Sequence, residues 1–233
     1  MRQRRITDVM TREVVRTTGD TPFKTVARLL ADHRISGLPV VDDEERVLGV
    51  ISETDLLQHQ AAQDRERRGR RFRLPPLTRS ARAAAVKARA RTAEDLMTRP
   101  AVTASLGQTV REAAHTMQWH GVERLPVVDA QDRLVGIVTR GDLLRVFLRP
   151  DEELRRDVRD QVAGALSRPP ATVEVGVRGG VVTLTGQLER RSDAALAARV
   201  AGGVDGVVAV VDGLAYSLDD TQPQPTGFSP GHM

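Results

Sequence analysis

Apolar and polar positions along this chain follow a pattern that runs twice, 87 residues apart and without a gap. Phe23, Val26, Ala27 and Leu30 fall on one face of a helix, and Val110, Ala113, Ala114 and Met117 hold the equivalent places. Asp20-Thr21-Pro22 opens the first stripe with a polar cap and a proline at the first helical position. Leu38-Pro39-Val40-Val41 is wholly apolar and predicts a strand; a polar turn at 42–46 and a second strand at 47–51 follow. Asp55-Leu56-Leu57 begins another helix. Each copy is predicted as helix, strand, turn, strand, helix, behind a short extended lead-in near Val14-Val15 or Ala101-Val102.

Beyond residue 150 the pattern changes. Leu154, Val158, Val162 and Leu166 are spaced for an amphipathic helix that Pro169-Pro170 would stop. Val173, Val175 and Val177 alternate as a strand, Gly179-Gly180 makes a hairpin turn, and 181–185 returns, with Gly186 closing the strand. Residues 192–200 predict a second helix with Ala195, Leu196 and Val200 as its apolar contacts, and 207–211 a last strand. The order α-β-β-α-β predicts a small α+β sandwich whose hairpin core includes Val181 and Leu184. The tail, 219–233, is rich in Pro, Gly, Gln and Thr and is predicted to be disordered.

The words repeat with the pattern. Met10-Thr11-Arg12 recurs as Met97-Thr98-Arg99, and Leu38-Pro39-Val40-Val41-Asp42 as Leu125-Pro126-Val127-Val128-Asp129. Gly49-Val50-Ile51-Ser52-Glu53-Thr54-Asp55 recurs as Gly136-Ile137-Val138-Thr139-Arg140-Gly141-Asp142. A duplicated unit buries its apolar face against its twin, and the junction between the halves leaves a cleft suited to a small ligand.

Composition narrows the chemistry. Cysteine is absent, which excludes disulfides, thiol nucleophiles and thiolate metal sites. Aromatics make up only 3%, so Val, Leu, Ile and Ala must build the core. No apolar run follows the basic N-terminus and none reaches membrane-spanning length, so a cytoplasmic protein is expected. The net charge of +4 averages two unlike parts: residues 58–92 hold 11 Lys+Arg against two acids, +9, and the remainder sums to −5. That segment, with Pro75-Pro76, is predicted to be an exposed insert, helical over 81–93. The expected division is 1–58 for the first unit, 59–92 for the basic linker, 93–150 for the second unit, 151–218 for the C-terminal domain and 219–233 for the tail.

The paired Leu-Pro-Val-Val-Asp and Gly-x-x-Ser/Thr-x-x-Asp segments, over residues 6–57 and 93–145, resemble a tandem of cystathionine-β-synthase-type (CBS) domains, a Bateman module. Gly180-Val181-Val182-Thr183-Leu184-Thr185-Gly186 with 203–210 resembles a BON domain. The resemblance implies an α+β fold: two pseudo-symmetric CBS units with α-β-β-α cores, and a small α-β-β-α-β domain behind them. It also implies a regulatory, non-enzymatic protein that binds an adenosine-containing ligand (AMP, ADP, ATP or S-adenosylmethionine) and signals to a partner protein or to the BON-like domain. It further implies a homodimer through helical faces.

Ser52 and Asp55 sit where a strand feeds a helix, and Thr139 and Asp142 repeat the arrangement. Such a corner points backbone N–H groups at a phosphate, and a carboxylate there can accept a ribose diol. The same spacing is also an ordinary capping box. By resemblance, Asp55 and Asp142 hold ribose, Ser52 and Thr139 contact ribose or phosphate, and adenine lies near Val15-Arg16-Thr17 and Val102-Thr103-Ala104, which makes Thr17 and Thr103 candidates. Arg124 is by resemblance a phosphate contact, and the first copy has Ser36-Gly37 at the equivalent place with no cation, so the sites are expected to be unequal; pairing of Arg124 with Glu123, Asp129 or a dimer partner is the alternative. Arg140 is a second candidate cation or a solvated one. His33 and His120 fall near helix ends, where structural roles are expected, while His59, His115 and His232 show no obvious partner in the sequence.

Two further functions stay open. The Arg-rich insert could bind nucleic acid without sequence preference, although its single aromatic, Phe72, offers little stacking. The C-terminal domain could dock on lipid or polymer, although eight Arg against ten acids over 151–218 make it a poor attractor for anionic lipid. Nucleic acid and membrane are therefore not the expected partners. No nucleophile elbow, lysine-bearing phosphate loop or metal cluster points to an enzyme or a resident cofactor.

Overall fold

The computed structural model describes residues 4–67, 89–166 and 173–221, which fall into two compact units. One spans 5–143; the other joins Arg4 to the residues from 144 onward. Most of the basic insert, residue 167 to residue 172 with the Pro169-Pro170 stop, and the tail from 222 with His232 lie outside the described residues.

In the first repeat, β1 (Thr17–Thr18) precedes α1 (Phe23–His33), β2 (Gly37–Val41), β3 (Val47–Ser52) and α2 (Glu53–Arg67). β1 runs parallel to β2, and β2 antiparallel to β3 with Leu38 opposite Ile51. Val26 and Leu30 of α1 share a core with Leu38, Val40 and Ile51. The second repeat begins with α3 (Ala93–Leu96) and continues through β4 (Ala104–Ser105), α4 (Val110–His120), β5 (Arg124–Val128), β6 (Leu134–Thr139) and α5 (Arg140–Leu144). Its sheet has the same order and register, with Leu125 opposite Val138.

The repeats differ from expectation in detail. The lead strands lie beyond Val14-Val15 and Ala101-Val102, at the residues that reach β2 and β5. Pro22 is the cap of α1, its carbonyl accepting the first amides, from Thr25 and Val26. Val110, Ala113 and Met117 are buried but Ala114 is exposed, because α4 presents only a narrow stripe to its sheet. α2 starts at Glu53, ahead of Asp55, and continues to Arg67.

The two repeats are related by pseudo-twofold symmetry, which shows in reciprocal hydrogen bonds. Val50 and Thr98 exchange N–H···O bonds of 3.1 and 2.9 Å, and their counterparts Ile137 and Thr11 do the same at 2.9 and 2.9 Å. Gly49 packs on Met97 as Gly136 packs on Met10. The leading segments are thereby exchanged. Ala93, Leu96 and Met97 of the second repeat complete the core of the first, while the Ile6 amide bonds the Gln108 carbonyl at 3.0 Å. Ile6 and Leu96 are fully buried, each contributing about 1.5–3 kcal/mol of apolar burial.

The other unit contains α6 (Asp151–Ala165), β7 (Glu174–Arg178), β8 (Val181–Arg190), α7 (Arg191–Gly202) and β9 (Ala209–Leu218). β7 and β8 form the Gly179-Gly180 hairpin, both glycines at positive φ, and β8 runs parallel to β9. Asp151 ties the hairpin by accepting the Gly179 and Gly180 amides at 2.7 and 2.9 Å. Leu154, Val158, Val162 and Leu166 are all buried in the core. Several local expectations shift. Gly186 does not end β8, because its ladder to β9 carries on to Arg190. β9 begins at Ala209 and extends to Leu218 for the same reason. Val182 rather than Val181 joins Leu184 on the core face, and Ala194 and Ala197 replace the exposed Ala195 on α7. Asp220, in the segment predicted to be disordered, accepts the Ser192 amide and hydroxyl at the start of α7.

Candidate functional site

Both strand-to-helix corners close in the same way. At the β3–α2 corner the Ser52 amide and hydroxyl each donate to Asp55 Oδ2 at 2.7 Å. At the β6–α5 corner the Thr139 amide and hydroxyl donate to Asp142 Oδ2 at 2.9 and 2.7 Å. Asp55 is 6% exposed and Asp142 is 7% exposed. Each aspartate turns onto its own corner amide, and at the second corner the Asp142 amide also donates to Thr139 Oγ1 at 3.3 Å, which completes a capping box.

The crevice beside the first corner is nonetheless open. A cleft of about 320 Å³ lies there, at the small end of the range for ligand pockets. Val50, Ser52, Thr54 and Asp55 form one wall, and Thr98, Pro100, Ala101 and Val102 a second. Gly121, Val122, Glu123 and Arg124, from the α4–β5 junction, form the third. The symmetry that places Thr98 beside Val50 brings the second repeat's leading segment to the first repeat's corner.

Three candidates, Ser52, Asp55 and Arg124, meet in this cleft. Thr139 and Asp142 stand at the other corner. Thr17 and Thr103 do not line the cleft; the Thr17 hydroxyl donates to Thr21 Oγ1 at 2.7 Å. Val102, from the stretch suggested for adenine, does line it.

Among the described residues Arg124 bonds neither Glu123 nor Asp129. Its Nη2 donates to Ser36 Oγ at 2.8 Å, and its guanidinium lies against Gly37, where a Cβ would stand 2.2 Å from Nη1. Arg124 is 9% exposed. Burial lowers its pKa from the ordinary arginine value, with Glu123 and Glu53 acting through space in the other direction. Glu123 instead faces Arg140, Oε1 to Nη1 3.4 Å, so Arg140 is an exposed partner rather than a solvated bystander. Asp129 holds Arg133.

His33 and His120 close α1 and α4 as expected. His59 and His115 do have neighbours: His59 packs on Phe23 with ring centroids 4.5 Å apart, and His115 stacks on Trp119 at 6.3 Å. Sequence reasoning missed the roles of Ser36 and Gly37. Its one available signal was a glycine standing where the other repeat has arginine.

Comparison with known proteins places this geometry. The CBS domain family matches residues 6–62 and 93–149, and the BON domain family residues 150–217. An uncharacterized protein of Methanocaldococcus jannaschii is 31% identical over 159 residues, covering 61% of this chain and 90% of that one. Inosine-5'-monophosphate dehydrogenase of the same organism is 28% identical over 158 residues, 68% of this chain but only 26% of the dehydrogenase, so the chain spans about a quarter of that relative. Among solved structures, CBSX2, a CBS-pair protein of Arabidopsis thaliana, in complex with AMP superimposes with a TM-score of 0.55 at 27% identity, covering 62% of this chain and 97% of that one.

Proposed function

We propose that this chain, which belongs to the CBS-domain family and carries a BON domain behind its CBS pair, is a regulatory sensor that binds an adenosine-containing nucleotide at the Ser52/Asp55 corner. The observation that carries this reading is the open cleft in which Ser52, Asp55 and a buried Arg124 converge. Its volume suits one mononucleotide rather than a dinucleotide. Asp55 would accept the ribose diol, a carboxylate having capacity for more bonds than a cap uses. Arg124 and the N-terminus of α2 would meet phosphate, and adenine would rest against Val102. The AMP carried by CBSX2, a neighbour in fold, supports the ligand class.

A ligand acts as a signal only if it favours one arrangement of the molecule over another, and the readers of that change would be a partner protein or the BON domain. Leu57 and Leu144 hold equivalent places in the repeat and are 68% and 61% exposed, which supports a homodimer through helical faces. Light scattering should give twice the chain mass, and Leu57→Glu with Leu144→Glu should halve it; a monomeric native chain removes the dimer. Among the described residues no helix is long and apolar enough to cross a membrane. Calorimetric titration with AMP, ATP and S-adenosylmethionine tests the sensor reading. Saturable heat from at least one is expected, and silence from all three at millimolar concentration would end it.

A further inference from the structure

The third wall of the cleft sets an acid and a base side by side at different depths. Arg124 is 9% exposed and lies inside. Glu123 precedes it and lines the same cleft, yet its side chain is 63% exposed, so its carboxylate stands at the mouth. Two contacts with α5 hold it there. The Arg140 amide donates to the Glu123 carbonyl at 3.0 Å, and Arg140 Nη1 faces Glu123 Oε1 at 3.4 Å. Among the described residues that line the cleft, the charged ones are Asp55, Glu123 and Arg124, two carboxylates to one guanidinium. Glu53, at the start of α2, adds a third carboxylate within electrostatic reach of Arg124. A ligand with one anionic group can bring that group inward to the guanidinium. A chain of phosphates is longer, and its further charges must run outward past the Glu123 carboxylate. Like charges about 5 Å apart in water-like surroundings weaken binding about threefold for each charge added. An ammonium at the far end of a ligand would be attracted by the same carboxylate.

We infer that Glu123 is a specificity-determining residue that sets the charge of the ligand: it turns away adenosine polyphosphates and accepts adenosine compounds ending in a single anionic group or in an ammonium. This rests on the sensor reading above and narrows its ligand class to AMP and S-adenosylmethionine, with ADP and ATP disfavoured. Arg140 holds the carboxylate at the mouth and partly offsets its charge.

Calorimetry with AMP, ADP, ATP and S-adenosylmethionine, free of magnesium and at low salt, on the native chain, Glu123→Gln and Arg140→Ala, tests it. The native chain should bind AMP about threefold more tightly than ADP and about tenfold more tightly than ATP. High salt should narrow the AMP-to-ATP ratio, because an exposed carboxylate is screened. Glu123→Gln should bring AMP and ATP to within about twofold of each other and weaken S-adenosylmethionine about threefold. Arg140→Ala removes the partner of the carboxylate and should widen the AMP-to-ATP ratio. A merely structural role would weaken all four ligands together and leave the ratio unmoved. ATP bound by the native chain as tightly as AMP would overturn the inference and leave the sensor reading standing, as would a ratio unchanged in Glu123→Gln. If S-adenosylmethionine alone binds, its weakening in Glu123→Gln upholds the inference and an unchanged affinity overturns it. No heat from any of the four would remove the sensor reading and the selectivity together. Should Glu123→Gln fail to fold, the native ratio and its shift in Arg140→Ala still decide the matter.

Discussion

Asp55→Ala and Asp142→Ala separate a cap from a binding site. Each aspartate accepts one backbone amide and one hydroxyl at its corner, with distances that agree within 0.2 Å. Loss of such a cap costs about 0.5–2 kcal/mol, and the half-buried donors left behind bring the loss to about 1–3 kcal/mol. The two variants should therefore destabilise the chain almost equally, within about 0.5 kcal/mol of each other. At about 2–4 °C per kcal/mol for a chain of this size, each should lower the melting temperature by several degrees. Ligand binding should split them, because Asp55 lines the open cleft and Asp142 does not. A charge-assisted bond is worth about 1.5–3 kcal/mol, so Asp55→Ala should weaken AMP by about 10- to 150-fold, while Asp142→Ala stays within about threefold by the same measure. Urea titration followed by far-UV circular dichroism supplies the stabilities, and calorimetry the affinities. Equal loss of AMP affinity in both variants would show that Asp55 matters only as a cap. An unchanged affinity in Asp55→Ala would place the ligand elsewhere.

Other outcomes follow from the same geometry. Gly49→Ala should cost about 2–4 kcal/mol through overpacking and the strained Val50–Thr98 bonds, because its Cβ would sit 2.9 Å from the Thr98 carbonyl oxygen and 2.6 Å from the sulfur of buried Met97. Gly136→Ala should cost less, since the Thr11 carbonyl is 3.2 Å away and Met10 is only half-buried; urea midpoints in the opposite order would refute this packing. Arg34 ends α1 at φ +52° where α4 ends with Gly121, so Arg34→Gly should stabilise by about 0.5–1 kcal/mol by removing left-handed strain, and a lower midpoint would count against it. Asp129 is held below the usual carboxylate range by the Arg133 backbone amide first, then by the Gln131 amide and the Arg133 side chain. Its contribution is complete above about pH 5 and is lost as pH falls through its lowered pKa. Asp129→Asn should thus flatten the acid limb of melting temperature against pH, and an unaltered limb would dismiss the linkage.

The features legible in the sequence were those carried by neighbours a few residues apart. The stripe of Val26 and Leu30, the apolar run at Leu38 and the Ser-x-x-Asp and Thr-x-x-Asp corners each express periodicity or local hydrogen bonding. The errors share one cause. Gly186 reads locally as a strand stop because glycine punctuates strands, but the ladder to β9 overrides it. His59 showed no partner because Phe23 meets it only through packing.

Sequence alone determined that the chain holds two copies of one unit, where each copy turns from strand to helix, and that the copies differ at Arg124 against Gly37. Tertiary structure alone decided that the copies exchange their leading segments, that the crevice at the Ser52/Asp55 corner stands open, and that Arg124 crosses the pseudo-twofold to Ser36. The division follows from distance along the chain. Caps and stripes are set within one or two helical turns, whereas the reach of a guanidinium over a glycine 87 residues away depends on how two finished layers meet.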